Sequence, residues 1–584
     1  MSEQTLRRLT WLYPLLMLLC GLGYARWDDY HLDGDAVSFI DIADAIQHHN
    51  WPLVLNGYWN PAYPAALAIG NLIAHPTRWN ALQVNFYVNF VIFALAIAAV
   101  TYFVRALVWF RQSNGSHESF ALPIEGLLLF AWSVLLYLWQ RDLSIGKVRS
   151  DGLLFGFLIL AASLVLRLFT TGRLYYAAAL GLALGCAYLT KSFGFAAAFF
   201  LLGGLVLCAV LLWKTTGKRI LAGALLAAPI FFVVIAPYVA GISRQRGRLS
   251  FGDSSTLNYA WNVDGMASAH EWHTGSLGLA AEKLKHHERL ILSSPSVYAY
   301  DEHLNGTFPL WFDPAWWHDK TIPHIALAEE ARILARSFVM NVRFLQEYAE
   351  PLIFFFVLFV YGCRLPSRSV QWVPYFLLAG WAACMVALYS LVLIQERYIA
   401  APWILFLVPL AASLRTPGKN DLLRPVTLAM AMLMAGLSLT SAVQDITQKR
   451  RMLSIAGHRR GAYDHNIYTA AQGLVALGIK PGDRVACVGL QTCGHDPYWA
   501  WLAGVKMVAD VDGPDDIHSA FWDSIPNKDA VANALRSVNT RVLLMNVLPG
   551  EDPPHGWQRL GDSSFFAYAL QAESSPSDTA RSHQ

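Results

Sequence analysis

The sequence predicts a mainly α protein that crosses a membrane many times and ends in a small α/β domain. Three observations carry that expectation. Of 584 residues, 55% are hydrophobic and only 15% charged, whereas a soluble chain of this size carries about a quarter charged residues. Apolar runs of membrane-crossing length recur along residues 9–444. Beyond residue 445 the pattern changes to short β-rich runs alternating with helical ones, the signature of a small parallel-sheet domain.

The apolar runs number roughly eleven. Their approximate limits are 9–25, 81–110, 120–139, 151–170, 174–190, 193–213, 219–241, 350–363, 372–394, 398–414 and 425–444. The first follows a basic start, MSEQTLRR, but is too long for a signal-peptide core and is read as a retained span. Ala62 to Ala74 is apolar but too short to cross, and fits an interfacial helix. Short loops holding Arg7, Arg8, Arg105, Arg111, Arg167, Arg173, Arg219 and Arg415 carry about twice the cations of the alternate loops, which places the N-terminus in the cytoplasm. The loops 26–80 and 242–349, and the chain after 445, then face outward.

Within 242–349, Trp261, Trp272, Trp311, Trp316 and Trp317 suggest an interfacial or sugar-stacking wall. There, AAEKLKHHERLIL (Ala280 to Leu292) has the spacing of an amphipathic surface helix. The domain plan is a membrane body over 1–445, an extracytoplasmic α/β domain over 446–571 with strands at DRVACVGL, VKMVADV and TRVLLMNV, and a disordered tail over 572–584. No GxGxxG or P-loop accompanies those strands, so no nucleotide is assigned. The net charge of +3 gives no reason to expect a nucleic-acid partner. Seven cysteines show no zinc-type spacing; Cys487 and Cys493, both outward, are the candidates for a disulfide.

The chemistry concentrates in HLDGDAVSFIDIADAIQHHNWPLVLNGYWNPAYP, His31 to Pro64. It sets Asp33, Asp35, Asp41 and Asp44 beside segments built for lipid. A carboxylate there can take a proton from an incoming hydroxyl. Cations on nearby outer loops, Arg141, Lys147, Arg149, Lys191 and Arg397, can grip phosphate oxygens and stabilise a phosphate leaving group. The structural alternatives are a turn at Asp33-Gly34, a helix cap at Asp35, a solvated face for Asp41 and Asp44, and snorkelling for Lys191 and Arg397. His31, His48 and His49 could join a divalent metal, which the chemistry does not require.

At these residues the chain resembles the GT-C glycosyltransferases of the protein O-mannosyltransferase and lipid A aminoarabinose transferase type. The resemblance runs through DGDAVSFIDIADAI, GYWNPAYP, KVRSDGLLFGF, AYLTKSFGF, FPLWFDPAWW and QERYIAAPW, over most of residues 1–415. It implies a GT-C-like bundle and a polyprenyl-phosphate sugar donor, with inversion at the transferred sugar. It places the catalytic acid at Asp35 and the donor-phosphate contacts at Lys191 and Arg397, with Glu396 and Tyr398 as neighbours and Arg149 as a further candidate. The usual Asp-Glu pair is here Asp35-Ala36, preceded by Asp33, which leaves open whether Asp33 shares the role. Tyr58, Trp59 and Tyr63 are the substrate-binding candidates.

The expected activity is therefore transfer of a sugar to a glycan, lipid or protein acceptor on the outer face of a bacterial inner membrane. No cofactor is required. A transporter or flippase of lipid-linked sugar would call for charges within the spans or paired broken helices. A non-catalytic scaffold would leave the acidic loop unexplained.

Overall fold

A computed structural model describes residues 3–28, 32–113, 121–212, 215–264, 286, 288–319, 322, 324, 326–347, 349–360, 372–415, 423–455, 465–514 and 516–570. His31, Trp272, the end of the run 350–363 and the tail 572–584 lie outside the described residues. The chain forms two compact units. The first comprises Met1–Tyr30, Ile42–Met266 and Thr321–Ala462, and the second His31–Asp41, Ala267–Lys320 and Tyr463–Gln584.

In the first unit every predicted apolar run falls on a helix: Glu3–Trp27, Ala81–Ser113, Ile124–Leu138, Asp151–Thr171, Leu174–Thr190, Phe193–Leu211, Thr215–Arg246, Ala349–Val360, Val373–Ser390, Glu396–Ser413 and Leu423–Ile455. Seven of the described helices are long and apolar enough to cross a membrane, fewer than the eleven expected. Ile124–Leu138, Leu174–Thr190 and Ala349–Val360 are too short, and Glu396–Ser413 opens on two charges and contains Pro402 and Pro409. The chain is an integral membrane protein on this count.

The helices pack through small residues where their backbones come close. A Cβ at Gly181 would strike the Ala227 carbonyl, and one at Gly185 the Val234 side chain. Leu174–Thr190 and Thr215–Arg246 therefore approach on a small-residue face, the usual device between membrane helices. Ala62–Ala74 is a 13-residue helix exposing Ile69, Leu72 and Ile73. At about 1.5 Å per residue it cannot cross the hydrocarbon core, and it suits the interface.

The amphipathic helix expected over 280–292 is corrected: Arg289–Ser293 is a strand, while 280–285 and 287 lie outside the described residues. A hairpin partner, Ser296–Ala299, decides the conformation there. The strongly amphipathic helix is instead Leu327–Glu347, where Leu334, Phe338, Val342 and Leu345 are exposed along one face.

The second unit holds one seven-stranded sheet. Its strands are β1 (Arg289–Ser293), β2 (Ser296–Ala299), β3 (Arg484–Val488), β4 (Lys506–Val511), β5 (Val542–Asn546), β6 (Gln558–Arg559) and β7 (Phe565–Ala569), in the order β1-β2-β4-β3-β5-β7-β6. Only β4-β3-β5 are parallel, and the flanking pairs are antiparallel. The parallel sheet expected is thus a mixed one, and β1 and β2 come from the long loop. The parallel strands read as near-continuous apolar runs because both faces are covered. Val531, Ala532 and Leu535 of the helix Lys528–Ser537 share one buried apolar cluster with Val508, Leu543 and Trp522. A disulfide joins Cys487, at the end of β3, to Cys493, with the Cα atoms 5.6 Å apart.

Candidate active site

In the first unit the helix Asp151–Thr171 begins on a buried carboxylate. Lys191, just past the helix Leu174–Thr190, places Nζ 2.6 Å from Asp151 Oδ1. Arg397, in the first turn of Glu396–Ser413, brings Nε to 3.7 Å from Asp151 Oδ2. Arg149 adds to the positive field on the same carboxylate. A buried carboxylate holds its charge only when paired, so Asp151 fixes both side chains that converge on it.

Tyr398 lies beneath the cations, its ring centroid 4.1 Å from Lys191 Nζ and 5.2 Å from Arg397 Cζ. Arg397 also donates to the Tyr398 hydroxyl at 3.3 Å. Tyr398 stacks on Tyr389 at 4.5 Å, and Tyr389 on Phe193 at 4.0 Å. A small cleft opens here, lined by Asp151, Arg397, Tyr398 and Tyr389 together with Leu154, Phe155, Leu158, Phe193 and Ala401. Lys191, Arg397 and Tyr398 thus come together, with Glu396 half-buried at the start of the helix that carries Arg397. Asp151 was not a sequence candidate, although an ionisable residue at the mouth of an apolar helix, two positions after Arg149, was a legible signal.

Arg141 is engaged elsewhere, donating to Glu347 at 2.7 Å and to the Tyr137 hydroxyl at 2.9 Å. The GYWNPAYP segment forms a turn around Asn56, whose side chain accepts from the backbone of Tyr58 at 2.8 Å and Trp59 at 3.0 Å. Asn60 donates to the Tyr188 carbonyl at 2.8 Å and accepts from Ser192 at 2.7 Å, tying this turn to the neighbours of Lys191. Tyr58 takes a hydrogen bond from Asn258 and packs edge-on against Trp59. Tyr63 is fully buried and donates to Asn89 at 2.8 Å.

The acidic stretch belongs to the second unit through Asp41. Asp33 caps the helix Gly34–Gln47: its carboxylate accepts from Ala36 N at 3.0 Å and its carbonyl from Val37 N at 3.2 Å. The cap considered for Asp35 is therefore made by Asp33. Asp35, in the first turn, accepts from the Trp311 indole Nε1 at 2.9 Å. Asp41 accepts from the backbone N–H and hydroxyl of Thr307, at 2.6 and 2.8 Å. It is a clamp rather than a solvated face.

The tryptophans expected to form a sugar wall are largely occupied. Trp316 is sandwiched between His286 and His303, with ring centroids at 3.7 and 4.0 Å. Trp317 donates to the Pro309 carbonyl, and Trp261 packs against Tyr58. Among the described residues no group of three His, Cys, Asp or Glu side chains could hold a metal ion.

No protein-family model and no curated protein matches the sequence. Among solved structures, ArnT from Cupriavidus metallidurans bound to undecaprenyl phosphate aligns over 98% of this chain and 99% of its own, at 12% identity and a TM-score of 0.51. The same protein in its apo state aligns over 97% and 98%, at 13% identity and 0.50. The oligosaccharyltransferase of Archaeoglobus fulgidus aligns over 91% of this chain and 68% of its own, at 12% identity and a TM-score of 0.46. The chain therefore shares the fold of ArnT over nearly its whole length.

Proposed function

We propose that this chain is a membrane glycosyltransferase that moves a sugar from a polyprenyl-phosphate donor to an acceptor on the extracytoplasmic face. The observation that carries the reading is the pairing of Lys191 and Arg397 on the one buried carboxylate of Asp151, where Asp151, Arg397 and Tyr398 line a cleft together with Leu154, Phe155, Leu158 and Phe193. The cations suit the phosphate, and Leu154, Phe155, Leu158 and Phe193 suit the isoprenoid chain. A free sugar nucleotide would have no use for those apolar side chains. The fold shared with ArnT, solved with undecaprenyl phosphate, supports the same donor class.

The reaction is a single displacement with inversion. The acceptor nucleophile attacks the anomeric carbon as the bond to the phosphate oxygen breaks, and Asp35 takes the acceptor proton. Lys191 and Arg397 stabilise the charge gathering on the departing phosphate. The acceptor is a glycan, lipid or protein. The setting is a bacterial inner membrane, with the N-terminus cytoplasmic and the α/β unit outside.

The test is label transfer from purified radiolabelled polyprenyl-phosphate sugar by the full chain in detergent. Asp35→Asn is expected to lower turnover by about a thousandfold while leaving membrane insertion intact. Asp33→Asn is expected to retain most activity, since Asn caps a helix nearly as well as Asp. Full turnover by the Asp35 variant would move the base elsewhere. Absence of transfer by the unaltered protein in detergent, with label crossing the bilayer unreacted once the chain is reconstituted in lipid vesicles, would favour a flippase.

A further inference from the structure

We infer that Trp311 is a positioning residue for Asp35, and that holding this carboxylate is a role of the α/β unit. The inference rests on the reading of Asp35 as base, and deepens it. Three contacts, all within the second unit, converge on the first turn of the acidic helix. The Trp311 indole N–H reaches Asp35 Oδ1 at 2.9 Å. The Trp311 carbonyl accepts from the Ser38 hydroxyl at 3.3 Å, so one residue grips the helix by its side chain and its backbone. Gly34 is pressed between the two: a Cβ there would come 2.9 Å from Trp311 Cδ1 and 3.0 Å from the Gly494 carbonyl.

Each anchor leads back to the sheet. Gly494 follows Cys493, which the disulfide ties to the end of β3. One turn further along the acidic helix, Asp41 clamps Thr307. The Thr307 carbonyl accepts from Met507 N of β4 at 3.2 Å, and Lys506 Nζ donates to the Gly306 carbonyl at 2.9 Å. The helix that carries Asp35 is thereby held at its first two turns by segments flanking one sheet, of which Thr307 is bonded to β4 and Gly494 follows the disulfide to β3. The indole donor does two things to the carboxylate. It selects one rotamer, and it favours the ionised form that can accept a proton.

The experiment is kinetic, on the full chain with the same labelled donor. Trp311→Phe is expected to lower kcat about tenfold, to leave the donor KM unchanged, and to move the acidic limb of the pH–kcat profile upward by about one unit. Should Trp311→Phe fail to fold, benzothienylalanine incorporated at 311 keeps the ring shape, replaces N–H by sulfur, and is expected to give the same shift. A merely structural tryptophan would lower active protein without moving the profile. An unshifted profile with unchanged kcat, in a protein where Asp35→Asn is inactive, overturns the role of Trp311 and leaves Asp35 as base. An active Asp35→Asn overturns the underlying reading instead.

Discussion

At the scale of single residues, the cations of the first unit differ in what they already hold. Arg397 and Lys191 share one buried carboxylate, which lines a cleft together with apolar side chains, whereas Arg141 is half-exposed and paired with Glu347. Coulomb attraction to a phosphate is worth several times more beside a low-dielectric wall than in water, so the two sites should not contribute equally. Arg397→Ala is expected to raise the donor KM by about tenfold or more, because charge-assisted bonds to phosphate are individually worth about 1.5–3 kcal/mol. Arg141→Ala is expected to change it less than about threefold. Equal effects, measured by titrating the donor, would mean that a diffuse field rather than a built site attracts it. Asp151 explains why the cations can be held ready without substrate. It keeps two long side chains ordered, and it is the member of the cluster that sequence reading passed over.

At the scale of elements, the acidic helix shows how a small residue and a motif combine. Gly34 is the first residue of the helix that Asp33 caps. A methyl added there would meet the Gly494 carbonyl at 3.0 Å, and backbone held by a disulfide yields little. Gly34→Ala is therefore expected to lower kcat about tenfold through displacement of Asp35, while Gly156→Ala, where nothing lies within 4 Å, leaves kcat unaltered. An active Gly34→Ala would show that the turn tolerates a shift. The eleven apolar helices were legible because helical length and apolarity are local properties. The pairing of β2 with β4 was not, because Val297 and Val511 meet only in the fold and the charges around His286 mimic a helix face. Asp33 and Asp35 were legible as a pair, but capping and indole contact depend on Ala36 and Trp311 and so divided their roles only in three dimensions. The pairing of Asp151 was hidden for the same reason, since its partners lie 40 and more residues away, although its place at the mouth of an apolar helix was open to reading.

At the scale of the whole molecule, the carboxylate proposed as base, Asp35, belongs to a unit whose stability should depend on pH. His318 lies in that unit, 2% exposed, immediately after the short helix Pro314–Trp317. Burial pushes its imidazole down from 6.5 to about 4, against the opposing pull of the Glu288 charge. The folded unit thus keeps His318 neutral where the unfolded chain takes up a proton. The sign follows: above pH 6.5 both states are neutral and this group adds no slope, and as pH falls from 6.5 toward 4 the unfolded state gains the proton first. Stability is lost across that window, by up to about 3 kcal/mol for a shift of this size, and the loss levels off below about pH 4. Because Asp35, Trp311 and the Asp41 clamp are in the same unit, transfer activity should fall with it, and recover on return to neutral pH if unfolding is reversible. The measurement is the unfolding midpoint of the full chain in detergent at pH 4.5, 5.5 and 7, compared with His318→Phe, which cannot protonate. The variant is expected to lose most of the dependence between pH 4.5 and 7. A variant whose midpoint falls as steeply as that of the unaltered protein would assign the acid sensitivity to other groups.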